Sequence, residues 1–299
     1  MGLFSRLIVG VLPLAPKFLV GTVARRYVAG ETLDEALDVV AGLNEQGAMA
    51  TLDLLGEEVR ERERATTAVG EYLRMFEGIA SRGLDSNVSI KLTLLGLKID
   101  ENFCRDNVEK IVARAREFEN FVRIDMEDRT CTDATLRIYH HLFERYGNVG
   151  AVLQAYMRRT LMDIAELPPD GANVRLCKGI YIEPRTIAWK GYDTVRANFV
   201  AALEKLFSQE AYVGIATHDE YLANAASSLI DRLGLTPDRY EFQMLYGVDE
   251  ELRRILLDFG HRVRVYVPYG RDWYPYSIRR LRENPEIAMH VTRAFLGIG

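Results

Sequence analysis

The 299-residue sequence is short of the residues that build metal centres and disulfide frameworks. Its three cysteines, Cys104, Cys131 and Cys177, are odd in number and form no CxxC pair. That argues for reduced thiols in a cytoplasmic protein and against a secreted disulfide scaffold. The five histidines, His140, His141, His218, His261 and His290, form neither HxH nor HExxH, so no dedicated metal site is expected. No GxGxxG follows any apolar run, which leaves a dinucleotide-binding Rossmann half unsupported. Neither sign of charge dominates: 38 basic against 43 acidic residues give a net charge of −5. Such a balance argues against disorder and against a nucleic-acid footprint. The sequence also lacks a linker or low-complexity run that would mark a second domain boundary.

An unbroken membrane-spanning stretch is missing as well. Residues 7–23 are mostly apolar, but Pro13, Pro16 and Lys17 interrupt them, and Val23-Ala24-Arg25-Arg26 is a poor leader-cleavage site. One or two amphipathic helices are expected there, within an N-terminal helical segment 1–46 packed on the body; peripheral contact with a membrane surface is the alternative.

What is present is a regular alternation. With 48% hydrophobic residues, the chain has ample material for a core. From residue 47 onward, short apolar runs at 48–53, 87–92, 121–126, 149–154, 173–177, 211–216, 240–245 and 262–267 are each followed by a longer amphipathic stretch. Eight strand–helix units at roughly 25–35-residue spacing describe a (βα)8 barrel of the TIM type over 47–299.

In such barrels chemistry collects at the C-terminal ends of the strands, where the loops converge. Here those ends carry Asp53, Lys91, Asp125, Gln154, Arg175 with Lys178, the pair Thr217-His218, Glu241 with Gln243, and Tyr266. Lys91, Arg175 and Lys178 would meet Asp125 and Glu241 in one mouth, joined by Arg279 and Arg280 from the last helix. So much positive charge expects an anionic ligand or cofactor. Gly179, directly after Lys178, would let a flat ring or phosphate approach the backbone. Gln154, Gln243 and His218 suit the edge of a heterocycle or its phosphate arm, or are core polar groups with internal partners. The stretch Tyr276-Ser277-Ile278-Arg279-Arg280-Leu281-Arg282-Glu283 offers two guanidinium forks for a carboxylate, with Glu283 close enough along a helix to brace them.

Several of these segments together resemble the motifs of the proline dehydrogenase family. They are Ser89-Ile90-Lys91-Leu92-Thr93, Ile124-Asp125-Met126-Glu127-Asp128, Gln154-Ala155-Tyr156, Arg175-Leu176-Cys177-Lys178-Gly179-Ile180-Tyr181, Ala216-Thr217-His218-Asp219, Glu241-Phe242-Gln243-Met244-Leu245 and Tyr276-x-x-Arg279-Arg280-x-x-Glu283-Asn284. The resemblance implies a distorted barrel that binds FAD non-covalently, oxidises L-proline to Δ1-pyrroline-5-carboxylate and passes electrons to a membrane quinone. It implies that Arg279, Arg280 and Lys91 hold the substrate carboxylate, and that Tyr181, Leu245, Tyr266 and Tyr276 enclose the ring. Asp125 and Arg175 would belong to the catalytic centre, with Arg175 beside the flavin. Met126, Gln154, Lys178, Gly179, Ile180, Thr217, His218, Gln243 and Glu283 would line the cofactor. Ile180 departs from the family's usual alanine, and its bulk bears on pocket width and substrate range. Outside the resemblance, Lys91 or Lys178 also suits a Schiff-base aldolase on the same barrel, and a barrel that only binds an anion is the non-catalytic alternative.

Overall fold

The computed structural model describes residue 21 and residues 26–283, apart from the side chains of 279–283. The helices expected before residue 26 therefore lie outside the described residues. So do the side chains of Arg279, Arg280 and Glu283.

The architecture is a closed barrel in which β1 to β8 follow one another around the ring. The strands are β1 (Met49–Leu54), β2 (Ser86–Ile90), β3 (Val122–Ile124), β4 (Val149–Gln154), β5 (Asn173–Cys177), β6 (Tyr212–Ala216), β7 (Tyr240–Leu245) and β8 (Val263–Tyr269). Helix α1 (Leu33–Glu45) precedes β1, and one α-helix lies between each pair of successive strands: α2 (Arg62–Ser81), α3 (Glu101–Glu117), α4 (Thr132–Tyr146), α5 (Thr160–Ala165), α6 (Tyr192–Ser208), α7 (Glu220–Leu233) and α8 (Glu250–Asp258). Helix α9 (Trp273–Glu283) follows β8. The barrel closes through parallel pairing of β1 with β8, from Met49 opposite Arg264 to Leu54 opposite Tyr269. The barrel expected from the alternation is thus the one observed, because parallel strands buried on both faces read as short apolar runs.

Local chemistry fixes where the helices start and stop. Thr32 and Glu35 form a reciprocal capping box at α1. Asp100 and Asp249 cap α3 and α8 through their side chains. Gly147 and Gly234 end α4 and α7 in the left-handed region. Outward residues such as Leu52, Val88, Ile124 and Leu176 join helix residues in one continuous apolar core.

The inward faces are unusually polar for such a barrel. At the floor, Arg264 donates from Nε to Glu241 Oε1 at 2.8 Å and from Nη1 to the Ala50 carbonyl at 2.6 Å. The wholly enclosed Arg123 donates from Nη1 to the carbonyls of Ala151 (3.0 Å) and Asn173 (2.6 Å), and from Nη2 to the Asn173 side chain. Burial, with repulsion from Arg175 added, lowers the Arg123 pKa to about 9. Two backbone carbonyls and a side-chain amide oxygen meet its terminal nitrogens, so the cation is held by dipoles.

Gly150 makes room for it. A Cβ at that position would overlap the Asn173 carbonyl oxygen and Arg123 Nη1, neither of which can retreat inside a closed barrel. Gly150→Ala is expected to lower the free energy of unfolding by about 1–3 kcal/mol. Denaturant titration checks this, and an unchanged midpoint would show that the floor has slack.

Candidate active site

The strand ends enclose a cavity of about 700 Å³ at the mouth, within the range of small-molecule and cofactor sites. Lys91, Asp125, Met126, Gln154, Arg175, Lys178, Gly179, Ile180, Tyr181, Thr217, His218, Gln243, Leu245, Tyr266 and Tyr276 all line it. Every residue to which the family resemblance gives a site role, and whose side chain is described, therefore lines this mouth. The backbone of α9 carries Arg279 and Arg280 one turn beyond Tyr276.

The middle of the site is a chain of alternating charge. Lys91 Nζ lies 2.6 Å from Asp53 Oδ1, donates to the Tyr266 hydroxyl at 3.1 Å and stands 3.8 Å from Asp125 Oδ2. The Tyr266 hydroxyl donates to Asp125 Oδ2 at 2.8 Å, and Arg175 Nη1 donates to the other oxygen of Asp125 at 2.6 Å. Arg175 reaches Ser89 Oγ through Nη2 at 3.0 Å and Gln243 Oε1 through Nε. Gln243 Nε2 in turn donates to Glu241 at 2.5 Å, which connects the mouth to the Arg264 floor. All six charged groups are buried. Pairing is what makes that tolerable, since an isolated buried charge would cost several kcal/mol.

These surroundings shift the titrations. Burial works to lower the Lys91 ammonium, but Asp53 and Asp125 more than offset it and hold its pKa above the ordinary value. Burial pushes Asp53 up to about 6, with Lys91 opposing and Asp125 adding to the rise. Tyr266 is held well above its usual value by burial and by the acidic groups beside it.

Gln154 has a fixed orientation. Its Nε2 donates to the carbonyls of Met126 (3.1 Å) and Glu127 (2.9 Å), which leaves Oε1 buried with no partner among the described residues. The Leu245 N–H donates to His218 Nε2 at 2.9 Å, so this assignment puts the ring proton on Nδ1. Lys178 leans on Asp219 at 3.1 Å, which also accepts from Tyr192 (2.8 Å) and Arg196 (2.6 and 2.9 Å). Burial acts to raise Asp219, but these hydrogen bonds prevail and hold it well below the carboxylate range.

Comparison with known proteins supplies the family. The proline dehydrogenase family model matches residues 36–293. The chain belongs to the proline dehydrogenase family. It is 37% identical over 278 residues to proline dehydrogenase of Deinococcus radiodurans, covering 91% of this chain and 90% of that protein. To proline dehydrogenase 2 of Bacillus subtilis it is 36% identical over 275 residues, 92% of this chain and 90% of the relative. The crystal structure of proline utilization A from Bdellovibrio bacteriovorus, inactivated by N-propargylglycine, superposes with a TM-score of 0.82 at 24% identity. That match covers 88% of this chain and 32% of the larger protein, and it bears on the fold.

Set in a proline dehydrogenase, one sequence expectation changes and one glycine gains a further reason. Glu241 does not join the mouth: it lies at the floor with Arg264 and Tyr212, and only Gln243, two residues on, reaches the cavity. Gly179 does line the cavity, but the space beside it is already filled. With φ of +104°, a Cβ there would strike the Tyr156 ring, so the glycine accommodates a neighbouring side chain. Ile180 sits at the rim and is 42% exposed. Residues not singled out for the site also appear: Tyr27, Glu57, Val152, Cys177, Met244 and Val248 line the cavity; Asp53, expected at its strand end, pairs with Lys91.

Glu127 anchors the turn after β2 by accepting from the Thr93 N–H (3.0 Å) and hydroxyl (2.5 Å). Burial raises it from 4.5 to about 7 against those hydrogen bonds. A raised folded-state pKa gives stability that is complete below 4.5 and lost as pH climbs through about 7. Between pH 5 and 8 the wild type should therefore lose roughly 2 kcal/mol more than Glu127→Gln. Equal slopes in unfolding titrations would contradict the assignment.

Proposed function

We propose that this cavity oxidises L-proline to Δ1-pyrroline-5-carboxylate with FAD held non-covalently across the β4–β7 side of the mouth, and that the electrons go on to a membrane quinone. The observation that carries the cofactor reading is Gln154. An immobilised, buried acceptor with no partner among the described residues suits an N–H on the edge of a flat heterocycle. Met126, Arg175, Lys178, Thr217, His218 and Gln243 share that wall and can hold the rest of the ring system and its phosphates, with Gly179 and Ile180 at the margin. When bound, FAD supplies the acceptor for the hydride that leaves the ring carbon beside the proline nitrogen.

The chain's own residues do the rest. Lys91, kept protonated by its two acids, and the forks of Arg279 and Arg280 from α9 hold the substrate carboxylate, with Glu283 as their brace or as a flavin contact. Tyr181, Leu245, Tyr266 and Tyr276 enclose the ring. Arg175 places fixed positive charge where negative charge develops. Both oxygens of Asp125 already accept charge-assisted or hydroxyl hydrogen bonds, so in this reading it positions Arg175 and Tyr266, and the amine proton leaves to water. A protonated Lys91 also speaks against the aldolase alternative, which needs a neutral amine. The quinone places the electron acceptor in a bilayer; among the described residues no helix is long and apolar enough to cross one.

The test is anaerobic. The FAD-loaded protein should be yellow, and proline should bleach its visible flavin band. A colourless protein that FAD cannot reconstitute, or one inactivated by substrate plus borohydride, would overturn the reading. Arg279→Met and Arg280→Met should each raise the KM for proline by about tenfold or more, from the loss of a charge-assisted hydrogen bond, while flavin content stays near wild type. Parallel loss of both would remove the carboxylate assignment.

A further inference from the structure

Residues 26–31 run across the barrel mouth before α1 begins, and they are held there by contacts from distant parts of the chain. Arg26 Nε donates to the Gly247 carbonyl at 3.2 Å. The Ala29 N–H donates to the Pro268 carbonyl at 2.9 Å, and the Gly270 N–H to the Gly30 carbonyl at 3.0 Å. The Trp273 indole donates to Glu31 at 3.0 Å. The segment is thereby a strap tied to the loop after β7, to the end of β8 and to the start of α9.

Tyr27 is the side chain this strap delivers to the cavity. It is 4% exposed, packs with Val28, Leu55 and Tyr276, and lines the chamber. Val248 and Trp273 close around the same cluster. Because the barrel order is cyclic and β8 stands four places from β4, this β7–β8–β1 side lies across the mouth from Gln154 at the end of β4. The ring therefore stands on the wall opposite the fixed acceptor.

We propose that Tyr27 is a specificity-determining residue: with Tyr276 it forms the outer wall of the substrate chamber and limits the size of the ring admitted. The inference rests on the proline-oxidising reading above. A rigid aromatic wall set against a five-membered ring penalises an extra methylene, and discrimination of that kind is worth about 10–200-fold. No step of the reaction described above is assigned to Tyr27, so the wall contributes to binding more than to the chemical step.

Wild type and variants are compared as FAD-loaded protein with proline and with its six-membered-ring homologue, pipecolate. Tyr27→Ala should raise the KM for proline about tenfold or more, change kcat much less, and shift the kcat/KM ratio toward pipecolate by at least about tenfold. Tyr27→Phe, which keeps the wall, should retain the wild-type ratio. Gly247→Ala is the independent variant, because a Cβ there would overlap the Arg26 carbonyl and dislodge the strap without touching the Tyr27 ring. It should shift the ratio in the same direction. A folded Tyr27→Ala or Gly247→Ala protein with the wild-type ratio would overturn the proposal. Wild-type protein that fails to oxidise proline in the same assay would instead remove the underlying reading.

Discussion

The contact between Asp125 and Arg175 holds the mouth of this barrel together. The guanidinium leaves β5 and reaches Asp125 after β3, Ser89 on β2 and Gln243 on β7, so one side chain spans the barrel interior. Asp125 shares its other oxygen with Tyr266 of β8, which brings in Lys91 and, behind it, Asp53 of β1. Removing either member of the pair would leave an uncompensated buried charge, a loss of about 3–5 kcal/mol in comparable buried pairs. The acids beside them keep Lys91 charged against its burial and, together with burial, keep the tyrosine protonated, which are the states that anion capture and hydrogen-bond donation require.

This polarity extends downward. Glu241 accepts from both Gln243 and Arg264, and Arg123 is met by backbone carbonyls. Fitting long polar side chains inside a ring of eight strands demands space, which Gly150 gives to Arg123 and Gly214 gives to Gln243. The packed apolar layer is displaced to the outer face of the strands, against the helices. A rigid outer shell and a hydrogen-bonded interior together hold the cavity side chains in place before any ligand arrives, the arrangement that electrostatic preorganisation needs.

Strand positions were legible because a parallel barrel strand is buried on both faces and reads as a short apolar run. Polar residues at their C-terminal ends were legible for the same reason: they interrupt the pattern where the strand meets the mouth. Depth was not. Glu241 and Gln243 both point inward with a period of two, and nothing in their spacing reveals that one belongs to the floor and the other to the cavity. Gly179 illustrates a related limit, since a glycine signals close approach without saying what approaches; here it is the Tyr156 ring. Tyr27 was invisible because its place depends on contacts with Gly247, Pro268 and Gly270, some 220–240 positions away, to which no local pattern points. Asp53 was visible as a strand end, but its grip on Lys91 is a property of register between β1 and β2.

The central claim is that the buried groups at the mouth act as one unit. A double-mutant cycle on Asp125→Asn and Arg175→Gln, read as the single-turnover rate of anaerobic flavin reduction by proline, tests it most directly. If the pair works as a unit, each single variant should slow reduction by about a hundredfold or more, and the double variant should be no slower than the worse single to within about threefold. Two losses that simply multiply would show that Asp125 and Arg175 act independently, and would contradict the account.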